Sequence, residues 1–266
     1  LTGPLGQTVI VENRGGSVAP TETVARASPD GYTLLFYSSA VWIVPLLEKV
    51  SWDPVRDFSP VILVDRAPNV LVVHPSVAAN SVKEFIALAK SKPGALNYST
   101  ASSGGSAHLA GELFKSMAGV NMVRISYKGG APAINALVAG EVQANFAPTV
   151  SALPQMKSGR VRALAVTSAQ PSALAPGLPT IAASGLPGYE FAQMAGLLAP
   201  AKTPGAIIKR LNQEILRFLN QPDMKQKFFD TGVETVGSSP EQFAAEIKAD
   251  IARMDKVIKA AGIKSD

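Results

Sequence analysis

Ser99, Thr100, Ala101, Ser102, Ser103, Gly104, Gly105, Ser106, Ala107, His108, Leu109, Ala110, Gly111, Glu112, Leu113, Phe114 is the stretch on which the fold turns. It follows a strand-like run, Ala95 to Ser99, passes through a hydroxyl- and glycine-rich turn, and enters an amphipathic helical pattern. Strand, short polar turn, helix is the unit of an α/β fold. At such a helix start the first N–H groups have no intrahelical acceptor, and the helix dipole adds positive potential. An anion is therefore accommodated there without any arginine. The same composition also describes a plain turn with a serine N-cap.

Working outward, short β-branched runs alternate with helical patterns. Strands are expected at Thr8 to Glu12, Tyr32 to Tyr37, Val61 to Val64, Val70 to His74, Ala95 to Ser99, Val123 to Ser126, Val142 to Ala147, Arg162 to Thr167, Gly196 to Ala199 and Glu234 to Val236. These suffice for two small, largely parallel sheets flanked by helices. Ser81 with Glu84 reads as a capping box, ended by Pro93 and Gly94; Ser239, Pro240 and Gln242 repeat the device, and Thr203 with Pro204 opens a helix to about Leu219. Between Ser168 and Gly188 the chain is rich in proline and glycine, as at the rim of a lobe. Crossings near Val70 to His74 and at Met194 to Pro200 divide the chain into residues 1–70 plus 194–266 and residues 71–193.

Composition narrows the chemistry. The chain has 266 residues, enough for two cores, with 47% hydrophobic and 17% charged residues, which excludes disorder and coiled coil. A net charge of +5 is dispersed, with no basic run interleaved with aromatics, so nucleic acid is not an expected partner. Cysteine is absent, removing disulfides and thiolate chemistry. The longest apolar stretch, Leu34 to Leu47, is broken by Ser38, Ser39 and Pro45 and falls short of the roughly 20 residues that cross a bilayer. His74 and His108 are the only histidines and have no metal-ligand spacing, so neither metal nor cofactor is expected. His74 precedes Pro75 and reads as structural, whereas His108 sits in the first turn of the helix beside the glycine-rich turn. No serine-hydrolase elbow, Walker loop or dinucleotide fingerprint is present, and no catalytic residue is assigned.

Two further strand ends carry similar chemistry: Ser126, Tyr127, Lys128, Gly129, Gly130, Ala131, Pro132, where Tyr127 is the better ligand contact, and Tyr37, Ser38, Ser39, Ala40. Ligands of open α/β sheets bind at the carboxyl ends of strands.

With these segments in place, the sequence resembles the tripartite tricarboxylate transporter receptors, also called Bug proteins, which are periplasmic solute-binding proteins. The residues that carry the likeness are Val11 to Arg14; Pro29 to Leu35; Asp53, Pro54, Asp57 and Phe58; Pro68 to Val72; Leu96 to Tyr98; His108 to Glu112; Tyr127 to Gly129; Leu164 to Thr167; Gly185 to Gly188; and Ala260, Gly262 and Ile263. Their order and spacing are specific although no single tetrapeptide is.

The resemblance implies a two-lobed clamshell of the periplasmic-binding-protein type (type II-like) that closes on a small carboxylate and delivers it to the membrane permease subunits of a tripartite tricarboxylate transporter. It implies a periplasmic monomer that is not itself membrane-spanning. The ligand contacts it implies are Ser38, Ser39 and Ala40 on one lobe and Gly104, Gly105 and Ser106 on the other; the expected ligand-binding set is completed by Ser102, Ser103, His108, Tyr127, Ala147 and Thr149. Three departures stand out. The chain starts at Leu1 without the family's first strand and proline- and glycine-rich turn, and without a signal peptide, so the first lobe is expected to lack its opening strand and helix. Ala147 stands where many members have an Asp suited to a ligand ammonium, and Gly105 and Ala107 stand where Thr and Gln are frequent. Two other functions share the pattern: a sensory receptor for a membrane kinase, and an α/β enzyme acting on a carboxylate or phosphate.

Overall fold

In a computed structural model, residues 2–14, 18–101 and 104–263 are described. In chain order the elements are α1 (Thr2–Leu5), α2 (Val18–Ala25), β1 (Leu35–Ser38), α3 (Ala40–Leu47), β2 (Phe58–Val73), α4 (Val82–Ser91), β3 (Asn97–Thr100), α5 (Ser106–Ala118), β4 (Val123–Ser126), α6 (Gly130–Val138), β5 (Ala144–Pro148), α7 (Thr149–Lys157), β6 (Arg162–Val166), β7 (Ala192–Pro200), α8 (Gly205–Leu219), α9 (Pro222–Asp230), β8 (Glu234–Thr235) and α10 (Pro240–Ala261). The backbone divides into two compact units. Unit 1 comprises Leu1–Arg66, Met194–Asp230 and Glu234–Asp255; unit 2 comprises Ala67–Gln193, Thr231–Val233 and Lys256–Asp266. The C-terminal end of α10 and the short Thr231–Val233 segment thus belong with unit 2, against the assignment of all of 194–266 to the first lobe. Gly232 lies so close to Val150 that an added Cβ would sit 3.1 Å from the Val150 Cβ, which shows why that segment goes with unit 2.

In unit 1, β1 runs antiparallel to β7, with Leu35 opposite Leu198, and β8 lies antiparallel to the first half of β2, with Asp65 opposite Thr235. Val61, Ile62 and Val64 of β2 and Leu197 and Ala199 of β7 bury against Ile208, Leu211 and Leu219 of α8. Trp42 of α3 is buried edge-on against Phe243 of α10 and donates its indole N–H to Asp250 at 2.8 Å. The α10 start carries the expected reciprocal box: Gln242 N–H donates to the Ser239 hydroxyl and Ser239 N–H to the Gln242 side chain.

In unit 2, β3 pairs parallel with β4 and with β5, while the second half of β2 lies antiparallel to both β5 and β6. The α/β class therefore holds but the sheets are mixed, not mainly parallel. Alternation of strand and helix implies parallel crossovers only where a strand starts and ends in one unit, and β2 passes from unit 1 into unit 2. Both expected runs within it, Val61 to Val64 and Val70 to His74, are one strand of 16 residues. Thr8 to Glu12 forms no strand; it is exposed coil. Helix α8 begins one residue later than expected, with Pro204 at the N-cap, because the Thr203 hydroxyl donates to Pro200 O instead of capping.

Strand β5 has two faces, as its period of two requires. Phe146 points to an aromatic layer with Tyr98, Phe114, Phe85 and Tyr189, whose ring centroids stand 5.3–6.2 Å apart along the chain of contacts. Ala147 points to the opposite core with Val70, Val72, Ile134, Leu137 and Val166. Helix α5 lies tight on β3 because Gly111 has no side chain: a Cβ there would stand 2.5 Å from the Tyr98 ring. The Tyr98 hydroxyl donates to Glu112 at 2.5 Å, and Lys115 pairs with the same carboxylate at 2.7 Å. Burial, with Glu112 adding to it, pushes the Tyr98 hydroxyl pKa well up, so it stays a donor.

Asp65 of β2 is buried, and burial raises its carboxyl from the usual 3.8 to about 6. The folded chain therefore holds this proton more tightly than the unfolded chain, and the associated stability is present at low pH and lost as pH rises from about 4 through 6. Asp65→Asn should raise stability at pH 7 by about 1–2 kcal/mol, allowing for the solvent that still reaches the group. It should also flatten the pH dependence in that window; urea unfolding between pH 4 and 7 checks both.

Candidate functional site

The turn after β3 is held from beneath. Gly104 has φ of +70°, a conformation glycine adopts without strain, and its N–H donates to His108 Nδ1 at 3.0 Å. The Arg124 guanidinium of β4 approaches the same nitrogen at 3.2 Å. Nδ1 thus serves as an acceptor, and the ring carries its proton on Nε2. The chain then straightens at Gly105 (φ −69°, ψ 164°) and enters α5 with no side-chain cap.

Two other helices start against the same place. Gly129 (φ 111°) precedes α6 and Pro148 precedes α7, and neither start has a side-chain cap. Together they wall a hollow of about 60 Å³: Ala101, Gly105, Ser106 and Ala107 from the first segment, Gly130, Ala133 and Ile134 from α6, Asn145 and Ala147 from β5, Pro148 and Ser151 from α7. That is room for a carboxylate group or a few water molecules. Among the described residues no charged side chain lines it. Its electrostatics come from three helix starts, each equivalent to roughly half a positive charge. The Ser151 hydroxyl is spent on Pro148 O at 2.9 Å. Asn145 is 3% exposed; its Nδ2 donates to Ser99 Oγ at 2.8 Å, Ser99 Oγ donates to Ala133 O at 2.9 Å, and Asn145 Oδ1 has no partner.

Of the residues singled out from sequence, Gly105, Ser106 and Ala147 line this hollow. Gly104 and His108 lie behind it as support. Tyr127 instead turns its hydroxyl to Glu141 at 3.3 Å, and burial followed by that carboxylate raises its pKa. The Thr149 hydroxyl donates to the carbonyl of Pro68 on β2 and is 1% exposed, so it holds α7 to the sheet. Ser38, Ser39 and Ala40 belong to unit 1, where Ser39 is the N-cap of α3 and its N–H donates to Met194 O at 2.8 Å. Ser102 and Ser103 lie outside the described residues.

Sequence reasoning missed Asn145, Ala133, Ile134, Pro148 and Ser151. The signal for Asn145 was there, a single amide inside the apolar run Val142 to Ala147. Among the described residues no group of three His, Asp or Glu side chains could hold a metal ion, and no helix is long and apolar enough to cross a membrane.

The mixed α/β fold matches those of solved periplasmic solute-binding proteins. The chain belongs to the tripartite tricarboxylate transporter family of receptors, whose family model matches residues 1–263. Among its relatives are the UPF0065 protein of the tcbD-tcbE intergenic region in Pseudomonas sp. strain P51 (36% identical, covering 96% of this chain and 77% of the relative) and BugT of Bordetella pertussis (33% identical, 99% and 82%). Similar solved structures include Rpa4515 of Rhodopseudomonas palustris with adipate (35% identical, TM-score 0.82, all of this chain and 90% of that one). The periplasmic binding protein BugD (31%, TM-score 0.79, 100% and 90%) and MatC of R. palustris with bound malate (28%, TM-score 0.79, 97% and 90%) share the fold as well. Members of this family are periplasmic solute-binding receptors, and carboxylates are the ligands in the Rpa4515 and MatC structures.

The support role of His108 is directly testable. His108→Leu leaves the Gly104 N–H without its acceptor, at a cost of about 1–3 kcal/mol in unfolding free energy. His108→Gln, which can offer a carbonyl oxygen, should recover part of it, and amide exchange at Gly104 should follow the same order.

Proposed function

We propose that this chain is a periplasmic receptor that captures a small carboxylate and delivers it to a tripartite tricarboxylate-type permease. The observation that carries the reading is the convergence of three uncapped helix starts on one hollow with no charged side chain in its wall. Backbone donors in that arrangement suit a carboxylate, which accepts several short hydrogen bonds and complements the dipoles. Family membership and the adipate- and malate-bound neighbours support the same ligand class. In this reading the hollow takes one carboxylate, with Gly104, Gly105 and Ser106 as its nearest turn. Ser38, Ser39 and Ala40 supply contacts from unit 1 when ligand draws the two units together by a hinge motion. The protein acts as a monomer that returns its ligand unchanged.

Ser106→Pro tests the backbone donors. Ser106 is the first residue of α5, where proline is favoured, and the preceding Gly105 already has the extended ψ that a proline requires. The helix should therefore survive while one N–H facing the hollow disappears. Carboxylate affinity should fall at least about tenfold, since a hydrogen bond to a charged group is worth roughly 1.5–3 kcal/mol. Ser106→Ala, which keeps the N–H, should lose less; equal calorimetric affinities for wild type and Ser106→Pro would remove this turn from the site.

Ligand charge gives a second test. With Ala147 in the wall and no acidic side chain beside it, an ammonium has no ionic partner. In thermal-shift assays mono- or dicarboxylates should raise the melting temperature while aspartate and glutamate do not. A ligand at 100 times its Kd adds about 2.7 kcal/mol, so the contrast is readily read.

A further inference from the structure

We propose that Arg124 is a positioning residue for the ligand: it locks His108 in the neutral form with the proton on Nε2, so that the Gly104–Ser106 turn keeps its shape as the surroundings turn acid. The inference rests on the carboxylate reading of that turn and adds the residue that secures it. Strand β4 pairs parallel with β3 and sets Arg124 opposite Tyr98. Tyr98 lies under α5, where Gly111 admits its ring, so Arg124 is delivered to the same face of the sheet. There its Nη1 stands 3.2 Å from His108 Nδ1, and the Gly104 N–H donates to the same atom at 3.0 Å. A guanidinium nitrogen can only donate, and so can a backbone N–H. The single lone pair of Nδ1 is thus claimed twice.

A histidine that takes up a proton at Nδ1 has nothing left to accept with. Here it would lose both bonds at once, turn its new N–H on two others, and set one cation against another in a residue that is 5% exposed. The neutral ring is therefore favoured. The one acid on β3, β4 or α5 is Glu112, and its Oε1 already takes the Tyr98 hydroxyl and Lys115; the Tyr189 hydroxyl, also against α5, donates to Ala110 O. Without Arg124 only the Gly104 N–H would oppose the proton. A charged His108 would then release Gly104 from the φ of +70° that leads the chain into Gly105 and Ser106. Arg124 makes a fixed acceptor of a side chain that ordinarily titrates near pH 6.5.

Nitrogen-15 spectra of the imidazoles in the full chain read protonation and tautomer directly and need no ligand. From pH 7.5 to 6, His108 should stay neutral with its proton on Nε2 in wild type and should charge in Arg124→Leu as an ordinary histidine does. His108→Gln identifies its signals against those of His74, the other histidine. Calorimetry with adipate and with malate then follows the turn. Over the same range wild-type affinity should hold within about 1.5-fold, whereas Arg124→Leu should lose about three- to fourfold, the share of neutral imidazole lost by a group of pKa near 6.5. In Arg124→Leu combined with His108→Gln nothing at this place titrates, and the profile should be flat again. If Arg124→Leu does not fold, Arg124→Met, which keeps the aliphatic stem, takes its place. A wild-type His108 that charges by pH 6, or that carries its proton on Nδ1, overturns the lock. So does a His108 that stays neutral without Arg124, or a pH dependence that survives in the double variant. If wild type binds neither adipate nor malate, the carboxylate reading fails and the ligand role of Arg124 with it, a failure that the ligand-free spectra separate from failure of the lock.

Discussion

Backbone N–H groups at the start of a helix have no partner within that helix, and everything notable about unit 2 follows from how three such starts are treated. At α5, α6 and α7 the preceding residues are Gly105, Gly129 and Pro148, none of which has a side chain able to cap. Helices α4 and α10 are capped conventionally, through Ser81 and Ser239, while α3 and α8 also start without a side-chain cap. Donors left unmet on the surface would simply bind water. Donors left unmet around a common hollow give it a positive potential that suits an anion.

The sheet keeps those starts in register. Strands β3 and β5 are parallel neighbours, so their carboxyl ends open on the same side, and the helices that follow them begin there. Period-two alternation along β5 sends Phe146 into the aromatic layer under α5 and leaves Ala147 and Asn145 on the face toward α6 and the hollow. The aromatic layer, the close approach at Gly111 and the Tyr98–Glu112–Lys115 chain fix α5 against the sheet. His108 then fixes the turn itself. In the structure the imidazole of His108 accepts from Gly104 and so sets the geometry of the turn.

Burial of polar groups is handled differently in the two units. In unit 1, Asp250 is buried but paired with Trp42 and Arg253, whereas Asp65 bears its burial without such help and titrates late. In unit 2 the buried amide of Asn145 is half satisfied. An unpaired charge in a core costs more stability than an unpaired neutral acceptor does.

The sequence alone determined the local facts: the α/β class, most strand positions, the capped helix of Ser81 and Glu84, the glycine-rich turn, and the family. Each depends on neighbouring residues or on patterns preserved in chain order. Only the tertiary structure decided which strand ends share a site. Residues 101, 105–107, 130–134 and 145–151 meet because β3, β4 and β5 pair in one sheet, a long-range choice that no local pattern contains. It decided equally that β2 is one strand serving both units, that the sheets are mixed, and that Thr149 and Tyr127 spend their hydroxyls on Pro68 and Glu141. A hydroxyl or amide in sequence is only a capacity to hydrogen-bond, and packing determines whether its partner is the protein or a ligand.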